Sequence, residues 1–256
     1  MERWYEGPLA AFDTETTGVD VENDRIVSAA LVLQPARGVP VQTFTWLADP
    51  GIPIPEGARA VHGITDEQVR EHGRPPRTVV EELARALSER ARAGVPLVVM
   101  NAPYDLTLLD RELRRHRGRA LTDYLTDAPL LVLDPRVLDK HVDRYRKGRR
   151  TLTDLCAHYG VTLGAAHDAS ADALASLQLV RELGRKHPGT LGALSPAELH
   201  LRQTVWHAAQ ARGLQAWFER SGTPEQVDTA WPLRPQRCVC GRRLLPGREH
   251  RCEAVA

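Results

Sequence analysis

The first two thirds of the chain alternate between short apolar runs typical of β-strands and longer segments with helical periodicity. Strand patterns occupy residues 8–16, 25–33, 41–47, 95–100 and 129–134. Helical patterns occupy residues 78–94, 103–117, 151–160 and 168–186. In the first helix, Val79, Leu83 and Leu87 fall on one face. Three strands followed by interleaved helices and strands predict an α/β domain with a mixed sheet.

Two further regions interrupt or follow this alternation. Residues 50–65 are rich in Pro and Gly and are predicted to form a loop. After a break at 187–196, residues 196–222 predict one more helix. Its apolar stripe is expected to pack onto the α/β domain and consists of Leu199, Trp206, Gly213 and Trp217. We therefore expect an α/β domain at 1–186, an accessory helix within 187–222 and a basic tail at 223–256.

Composition narrows the class of protein. Of 256 residues, 42% are hydrophobic and 26% are charged, which excludes a disordered or collagen-like chain. The apolar runs are too short to span a bilayer, and no signal-peptide pattern begins the chain. With four cysteines and no secretory pattern, a cytoplasmic location is expected. The net charge of +1 means that any nucleic-acid site depends on local charge.

Paired acidic residues provide the first candidate site. The sequence has three Asp-x-Glu patterns, at Asp13/Glu15, Asp20/Glu22 and Asp110/Glu112. The second pair lies in a polar loop, and the third lies among arginines on a helix face expected to be solvated. The first pair follows a buried apolar run, where residues two apart share one face of a strand. A divalent cation would offset the repulsion between two such carboxylates.

Two more acidic residues and one histidine occupy positions that fit such a site. Asp105 is predicted near the start of a helix that follows a buried strand, although the helix dipole alone also favours an acidic residue there. His167 precedes Asp172 by five residues, with small residues between them. A helix-start histidine beside a solvated aspartate is the alternative interpretation of this second pair.

In combination, these motifs resemble the DEDD superfamily of 3′–5′ exonucleases, in the branch that carries a histidine. That branch includes the proofreading subunit of bacterial DNA polymerase III, ribonuclease T and oligoribonuclease. The motifs that carry the resemblance are FDTETTG at 12–18, MNAPYD at 100–105, and His167 with Asp172. The second motif usually reads His-Asn-x-x-Phe-Asp. The resemblance covers residues 8–185 and implies a ribonuclease H-like fold, a mixed sheet flanked by helices.

The resemblance also implies the chemistry, which is metal-dependent hydrolysis that releases mononucleotides from a 3′ end. Asp13 would bridge two metal ions, and Glu15 and Asp172 would complete one site. Asp105 would hold the second ion, and neutral His167 would accept the proton of the attacking water. Oxygen ligands without cysteine favour Mg²⁺ or Mn²⁺.

Substrate contacts are expected from two regions. Thr16, Thr17 and Gly18 end the first strand and offer backbone groups to a ligand. By resemblance, His62, Ile64 and Tyr104 would grip the terminal nucleotide. Residues 134–150 carry seven Lys or Arg against three Asp. This segment is either a solvated loop or a phosphate-binding element that uses Arg144, Arg146, Lys147, Arg149 and Arg150.

The cysteines divide into one predicted core residue, Cys156, and a cluster near the end of the chain. The cluster contains Cys238, Cys240, His250 and Cys252 among five arginines. Three cysteines and one histidine form an accepted structural zinc set, although the one-residue spacing within each pair is unusual. The two interpretations left open are a structural zinc site and a disordered basic tail.

Three functions are consistent with these observations. The first is a two-metal 3′–5′ exonuclease that acts on single-stranded or frayed nucleic acid, with DNA favoured over RNA, as part of a polymerase or repair complex. The second is a nucleic-acid-binding or polymerase-associated adaptor that uses the same fold without turnover. The intact set of acids and histidine argues against the adaptor. The third, weaker option is a hydrolase of nucleotides or dinucleotides.

Overall fold

A computed structural model describes residues 3–164 and 166–236. Its centre is a five-stranded sheet in the order β3–β2–β1–β4–β5. The strands are β1 (Leu9–Thr16), β2 (Ile26–Gln34), β3 (Gln42–Leu47), β4 (Leu97–Val98) and β5 (Val132–Leu133). The first three strands are antiparallel neighbours, and β4 and β5 run parallel to β1. The predicted mixed sheet of an α/β domain is confirmed.

Eight α-helices surround the sheet within the described residues. They are α1 (Glu56–His62), α2 (Asp66–His72), α3 (Pro76–Arg92), α4 (Asp105–Arg117), α5 (Pro135–Val142), α6 (Leu152–Tyr159), α7 (Ala169–Lys186) and α8 (Pro196–Ser221). The loop predicted for residues 50–65 is wrong in part, because α1 occupies its second half. Thr65 then starts α2 with a reciprocal side-chain and backbone cap to Gln68. Helix α5 likewise begins the basic segment, where Asp134 caps and Pro135 starts the helix.

The strand period of two determines what each face of β1 contacts. Ala10 and Phe12 are buried in a core that also contains apolar residues of α3 and α4. Leu9 and Ala11 point to the opposite face and are buried in a second core with residues of α6 and α7. By the same alternation, Asp13 and Glu15 continue the α7 face, whereas Thr14 continues the α4 face.

Helix α8 packs on the domain along its first half. Leu199 is fully buried, and Trp206 packs against both cores. The second half departs from the predicted stripe, because Gly213 is exposed and Trp217 is 53% exposed. After α8 the chain returns to the domain, where Trp231 is buried in the core on the α3 and α4 side. The end of α8 therefore projects beyond the core that its beginning covers.

The expectation that Asp110 and Glu112 lie on a solvated face is wrong. Both side chains are buried, with at most 1% exposed. Asp110 accepts from Arg111 and Arg114 at 2.7 Å, and Glu112 pairs with Arg115. The arginines that suggested a solvated face instead neutralise two buried carboxylates. Cys156 is buried, as predicted for a core residue. No helix in the described part of the chain has the length and apolar character to cross a membrane.

Candidate active site

Three carboxylates converge at the end of β1. Asp13 and Glu15 share the face of β1 that packs under α7, and Asp172 lies in the first turn of α7. One oxygen from each of these three side chains lies within 4.8 Å of the other two. The sequence placed Asp13 and Glu15 together by strand periodicity, and the packing of α7 on β1 adds Asp172.

Asp105 joins this cluster from the other face of β1. It is the first residue of α4, which begins shortly after the neighbouring strand β4 ends. Its Oδ1 accepts from the hydroxyl of Thr14 at 2.7 Å and from the backbone N–H of Thr14 at 3.1 Å. Thr14 was missed by sequence reasoning, although its place between Asp13 and Glu15 puts it on the opposite face of the strand.

Burial disfavours the ionised forms of all four carboxyl groups, and repulsion from the other acids of the cluster adds to this effect at Asp13 and Glu15. Burial raises the pKa of Asp13 well above its usual value, and nearby Asp105, Glu15 and Asp172 raise it further. Burial is also the first cause that raises the pKa of Glu15 to about 8 and of Asp105 to about 7. The pKa of Asp172 is raised by burial as well.

The donor set of this cluster fits a hard divalent cation. Asp172 Oδ1 is buried and meets no hydrogen-bond partner among the residues that the structure describes, so it can act as a ligand. Carboxylate oxygens are the ligands that Mg²⁺ and Mn²⁺ prefer. The raised pKa values reflect the free-energy cost of burying these carboxylates in the charged form. A bound cation would offset that cost.

His167 lies at the entrance to α7, next to these acids. Its backbone has a φ of 64°, in the left-handed region, and its N–H donates to Asp172 Oδ2 at 3.3 Å. The side chain is exposed and close enough to His62 for the two imidazoles to interact. Asp168, which sequence reasoning missed, caps α7 through the N–H of Ala171 and adds negative charge near the cluster. Its position before a helix start was the available signal.

The turn after β1 brings three of the predicted substrate residues together. The hydroxyl of Thr16 donates to the carbonyl of Gly18 at 2.7 Å, and the hydroxyl of Tyr104 contacts both groups. Burial raises the pKa of Tyr104 to about 12, so its hydroxyl stays protonated at neutral pH. Thr17 has a different environment: it is buried, donates to Asp24 and accepts from the backbone of Arg25.

His62 and Ile64 lie across from this turn at the end of α1. The backbone N–H of Ile64 donates to His62 Nδ1 at 3.0 Å, which directs the other ring nitrogen away from the helix end. Within the described residues, His62 Nε2 is buried without a hydrogen-bond partner. Ile64 packs against a small apolar cluster of Val27, Ile54 and Val69. Burial lowers the pKa of His62, the nearby backbone of Thr16 opposes this effect, and His167 lowers the pKa further.

Asp134 is a buried residue that supports the turn leading to Asp105, and sequence reasoning missed it. Its carboxylate accepts from the backbone N–H groups of Asn101 and Ala102 at 3.2 and 3.0 Å. Asn101 has a φ of 59°, so these bonds hold a left-handed residue in place. The Asp134-Pro135 pair was the available sequence signal, since it is typical of a helix start.

The basic segment divides into engaged and exposed side chains. Arg146 and Arg150 both donate to Asp139, at 3.0 and 2.6 Å, and Asp139 is fully buried. Both guanidinium groups are therefore engaged in ion pairs with Asp139 inside the protein. Arg144, Lys147 and Arg149 are exposed, which leaves these three for contacts with phosphates.

The predicted zinc ligands Cys238, Cys240, His250 and Cys252 lie outside the described residues.

Comparison with known proteins identifies the family. The family model described as Exonuclease matches residues 10–180, which contain the four carboxylates and His167. DNA polymerase III subunit epsilon of Treponema pallidum (strain Nichols) is 30% identical over 183 residues, and the match covers 70% of this chain and 77% of that protein. The chain belongs to the exonuclease family. The predicted membership of the 3′–5′ exonucleases is confirmed, and hydrolysis from the end of a nucleic-acid strand is the reaction of this class.

Other relatives of this exonuclease-family chain are longer proteins. The DNA polymerase III subunit epsilon-like protein of Rhodobacter capsulatus is 34% identical over 194 residues, and the match covers 73% of this chain but 25% of that protein. The structure of E. coli exonuclease I in complex with a dT13 oligonucleotide matches with a TM-score of 0.59 at 16% identity. That match covers 82% of this chain and 46% of exonuclease I. It shows the same fold, and the chain spans less than half of exonuclease I.

Proposed function

We propose that this chain is a 3′–5′ exonuclease that uses two divalent metal ions and acts on single-stranded or frayed DNA ends. The observation that carries the proposal is the convergence of Asp13, Glu15 and Asp172 oxygens within 4.8 Å of one another. Asp105, tied to the same strand through Thr14, supplies the fourth carboxylate. This concentration of buried acids is costly without cations and suited to binding them.

Each carboxylate has a role that follows from its position. Asp13, at the centre of the cluster, would contact both ions, while Glu15 and Asp172 complete one site and Asp105 serves the other. When bound, Mg²⁺ or Mn²⁺ would neutralise the phosphate and stabilise the developing charge on the leaving oxygen. The hydrogen bonds from Thr14 fix the orientation of Asp105 and limit its movement.

His167 would accept the proton of the attacking water. Its backbone N–H is anchored on Asp172, while its imidazole remains exposed to solvent and substrate. General bases of this kind contribute about 10²–10⁴ in rate. His62, Ile64, Tyr104 and the turn at Thr16–Gly18 would position the terminal nucleotide, and Arg144, Lys147 and Arg149 would contact the phosphates that precede it.

The proposed substrate and partners follow the relatives. DNA is favoured because the similar proteins are named as DNA polymerase III subunits and because exonuclease I binds a dT13 oligonucleotide. We further propose that the chain associates with a polymerase or repair complex. The proposed division is an exonuclease domain at 1–186, an accessory helix within 187–222 and a basic tail at 223–256, in which Cys238, Cys240, His250 and Cys252 hold one zinc ion.

Digestion of end-labelled substrates tests the proposal. Single-stranded DNA, duplex DNA with a frayed end, and RNA are compared with Mg²⁺, Mn²⁺ or a chelator. We expect a 3′ label to be released at once as a mononucleotide, and a 5′-labelled strand to shorten stepwise. Asp13→Asn is the matched control for contaminating nuclease. If the parent protein releases no more nucleotide than Asp13→Asn does, the alternative function is favoured, in which the chain is a nucleic-acid-binding adaptor without nuclease turnover.

A further inference from the structure

A groove with a volume of about 1170 Å³ lies between α5 and α8. One end is lined by Val19, Asn101 and Pro103. Val19 directly follows the turn at Thr16–Gly18, and the other two residues lie in the turn that leads to Asp105. One end of the groove therefore lies beside the two turns that adjoin the candidate active site, and the groove continues from there along α8.

The α5 side of the groove is basic. Arg136 and Lys140 line it four residues apart on α5, the spacing that places side chains on one face of a helix, and Arg144 lines it from the turn that follows α5. Lys140 is half-buried, and its pKa is lowered first by burial and then by Arg150, Arg144 and Arg146. Positive charge is thus concentrated along this wall. A strand of phosphates would compensate that charge.

The α8 side of the groove presents aromatic and apolar side chains. Trp206 stacks on His141, with ring centroids 3.6 Å apart. Farther along, Leu214 and Trp217 also line the groove, and Trp217 is 53% exposed. The helix rises about 16 Å between Trp206 and Trp217, which is room for a run of several nucleotides beyond the terminal one.

One acidic residue of the groove, Asp134, caps α5 and accepts from the backbone N–H groups of Asn101 and Ala102, whereas the other acidic side chains lie on other elements. Asp20 and Glu22 belong to the turn between β1 and β2, and Glu22 pairs with Arg111 at 2.8 Å. Glu225 and Asp228 lie in the segment after α8. The basic and aromatic walls therefore face each other across a groove whose acidic edges would repel phosphates toward α5.

We propose that this groove binds the single strand that precedes the 3′-terminal nucleotide. Phosphates would contact Arg136, Lys140 and Arg144, and a base would stack on Trp217. A basic track beside an exposed aromatic ring is the combination that binds single strands without sequence preference. This inference rests on the proposed function and names the path that its substrate takes.

Substrate length separates the groove from the active site. The variants Lys140→Ala and Trp217→Ala are each compared with the parent on a dinucleotide and on a 16-nucleotide strand. On the long strand we expect KM to rise about 5- to 100-fold and the salt dependence to weaken by about one unit for each lost phosphate contact. On the dinucleotide, which does not reach the groove, kcat and KM should equal those of the parent.

Matched controls come from the part of α8 that does not line the groove. Arg212→Ala removes one positive charge from an exposed position, and Leu201→Ala removes an exposed apolar side chain. Both controls should keep the parent KM on the long strand. Equal effects of groove and control variants, or unchanged KM in the groove variants, would overturn the proposal and favour a protein ligand for the groove. A parent protein inactive on both substrates would instead refute the proposed function.

Discussion

The hydroxyl and the backbone N–H of Thr14 both donate to a single oxygen of Asp105, at 2.7 and 3.1 Å. Thr14 lies on β1 between two proposed metal ligands, and Asp105 begins α4. The two bonds therefore link the strand that carries Asp13 and Glu15 to the helix that carries the fourth carboxylate. They also lower the pKa of Asp105, against the larger effect of burial.

Removing the hydroxyl while keeping the shape of the side chain tests this link. Thr14→Val should raise the pKa of Asp105 further and weaken metal binding, because one of the two bonds to its carboxylate is lost. Hydrogen bonds to charged groups contribute about 1.5–3 kcal/mol, so we expect about a ten- to hundredfold loss of activity at limiting metal. The measurement is rate against metal concentration. Thr14→Ser, which keeps the hydroxyl, should have nearly the same metal dependence as the parent. If Thr14→Val also has the metal dependence of the parent, the proposed link is contradicted.

The raised pKa values predict how stability responds to pH and metal. In the unfolded chain these carboxyl groups lose their protons near pH 4, whereas in the folded protein the pKa is about 7 for Asp105 and about 8 for Glu15. Between these pH values the folded protein therefore binds more protons than the unfolded chain. The metal-free protein should therefore lose stability as pH rises through this window. Added Mg²⁺ or Mn²⁺ should raise Tm by roughly 5–10 °C at a hundredfold excess over Kd, and more at pH 8 than at pH 5.

Asp13→Asn is the control for this experiment, which is measured by thermal denaturation with metal or chelator. It removes one of the repelling charges, so the metal-free variant should be more stable than the parent at pH 8. It should also respond less to metal. A variant that is less stable at pH 8 and gains as much Tm from metal as the parent would show that Asp13 is not the central ligand.

The site residues that could be predicted from the sequence are those whose positions follow from strand periodicity and from short connections between neighbouring elements. Strand periodicity places Asp13 and Glu15 on one face. Asp105 follows a buried strand that proves to be the neighbour of β1, so the two chain segments end side by side. Asp172 reaches the cluster because its helix packs on the same face of β1. Such relationships follow from periodicity and the short connections of an α/β sheet.

What sequence could not predict depends on tertiary partners. Arg146 and Arg150 belong to a basic run, yet both bind the buried Asp139, and nothing in their spacing distinguishes them from Lys147 or Arg149. Likewise Trp217 lies on the apolar stripe of α8 but beyond the surface that the domain offers. A charged residue or an apolar stripe in the sequence indicates that a contact with an ion-pair partner or an apolar surface is favourable. Only the tertiary fold determines which residue or surface provides that contact.

The basic segment therefore predicts two different effects of alanine substitution. Arg146→Ala with Arg150→Ala leaves the buried Asp139 without its cations and should lower the free energy of unfolding by about 3–5 kcal/mol. Lys147→Ala with Arg149→Ala should leave stability unchanged and reduce the salt dependence of substrate binding by about one unit for each phosphate contact. Denaturant unfolding and binding at several salt concentrations measure the two effects. Equal loss of stability in both double variants would contradict the division.

The Cys/His cluster predicts one zinc ion per chain. Elemental analysis of the purified protein should find it, and Cys238→Ser with Cys240→Ser should remove it. Nuclease activity should largely survive this change, because the proposed catalytic carboxylates lie elsewhere in the sequence. Equal zinc in the parent and the variant would refute the site.

The last prediction separates the proposed base from the metal ligands. His167 has a φ of 64°, so alanine would combine loss of the imidazole with backbone strain, whereas glycine tolerates this conformation. His167→Gly should lower kcat by about 10²–10⁴ and keep the increase in Tm that metal produces in the parent. Because the side chain is exposed, free imidazole should reach the vacated position and restore part of the rate. His167→Asn also accepts a positive φ but leaves less room, so imidazole should restore it less. An undiminished rate in His167→Gly, or loss of its metal response, would assign His167 a role other than that of the base.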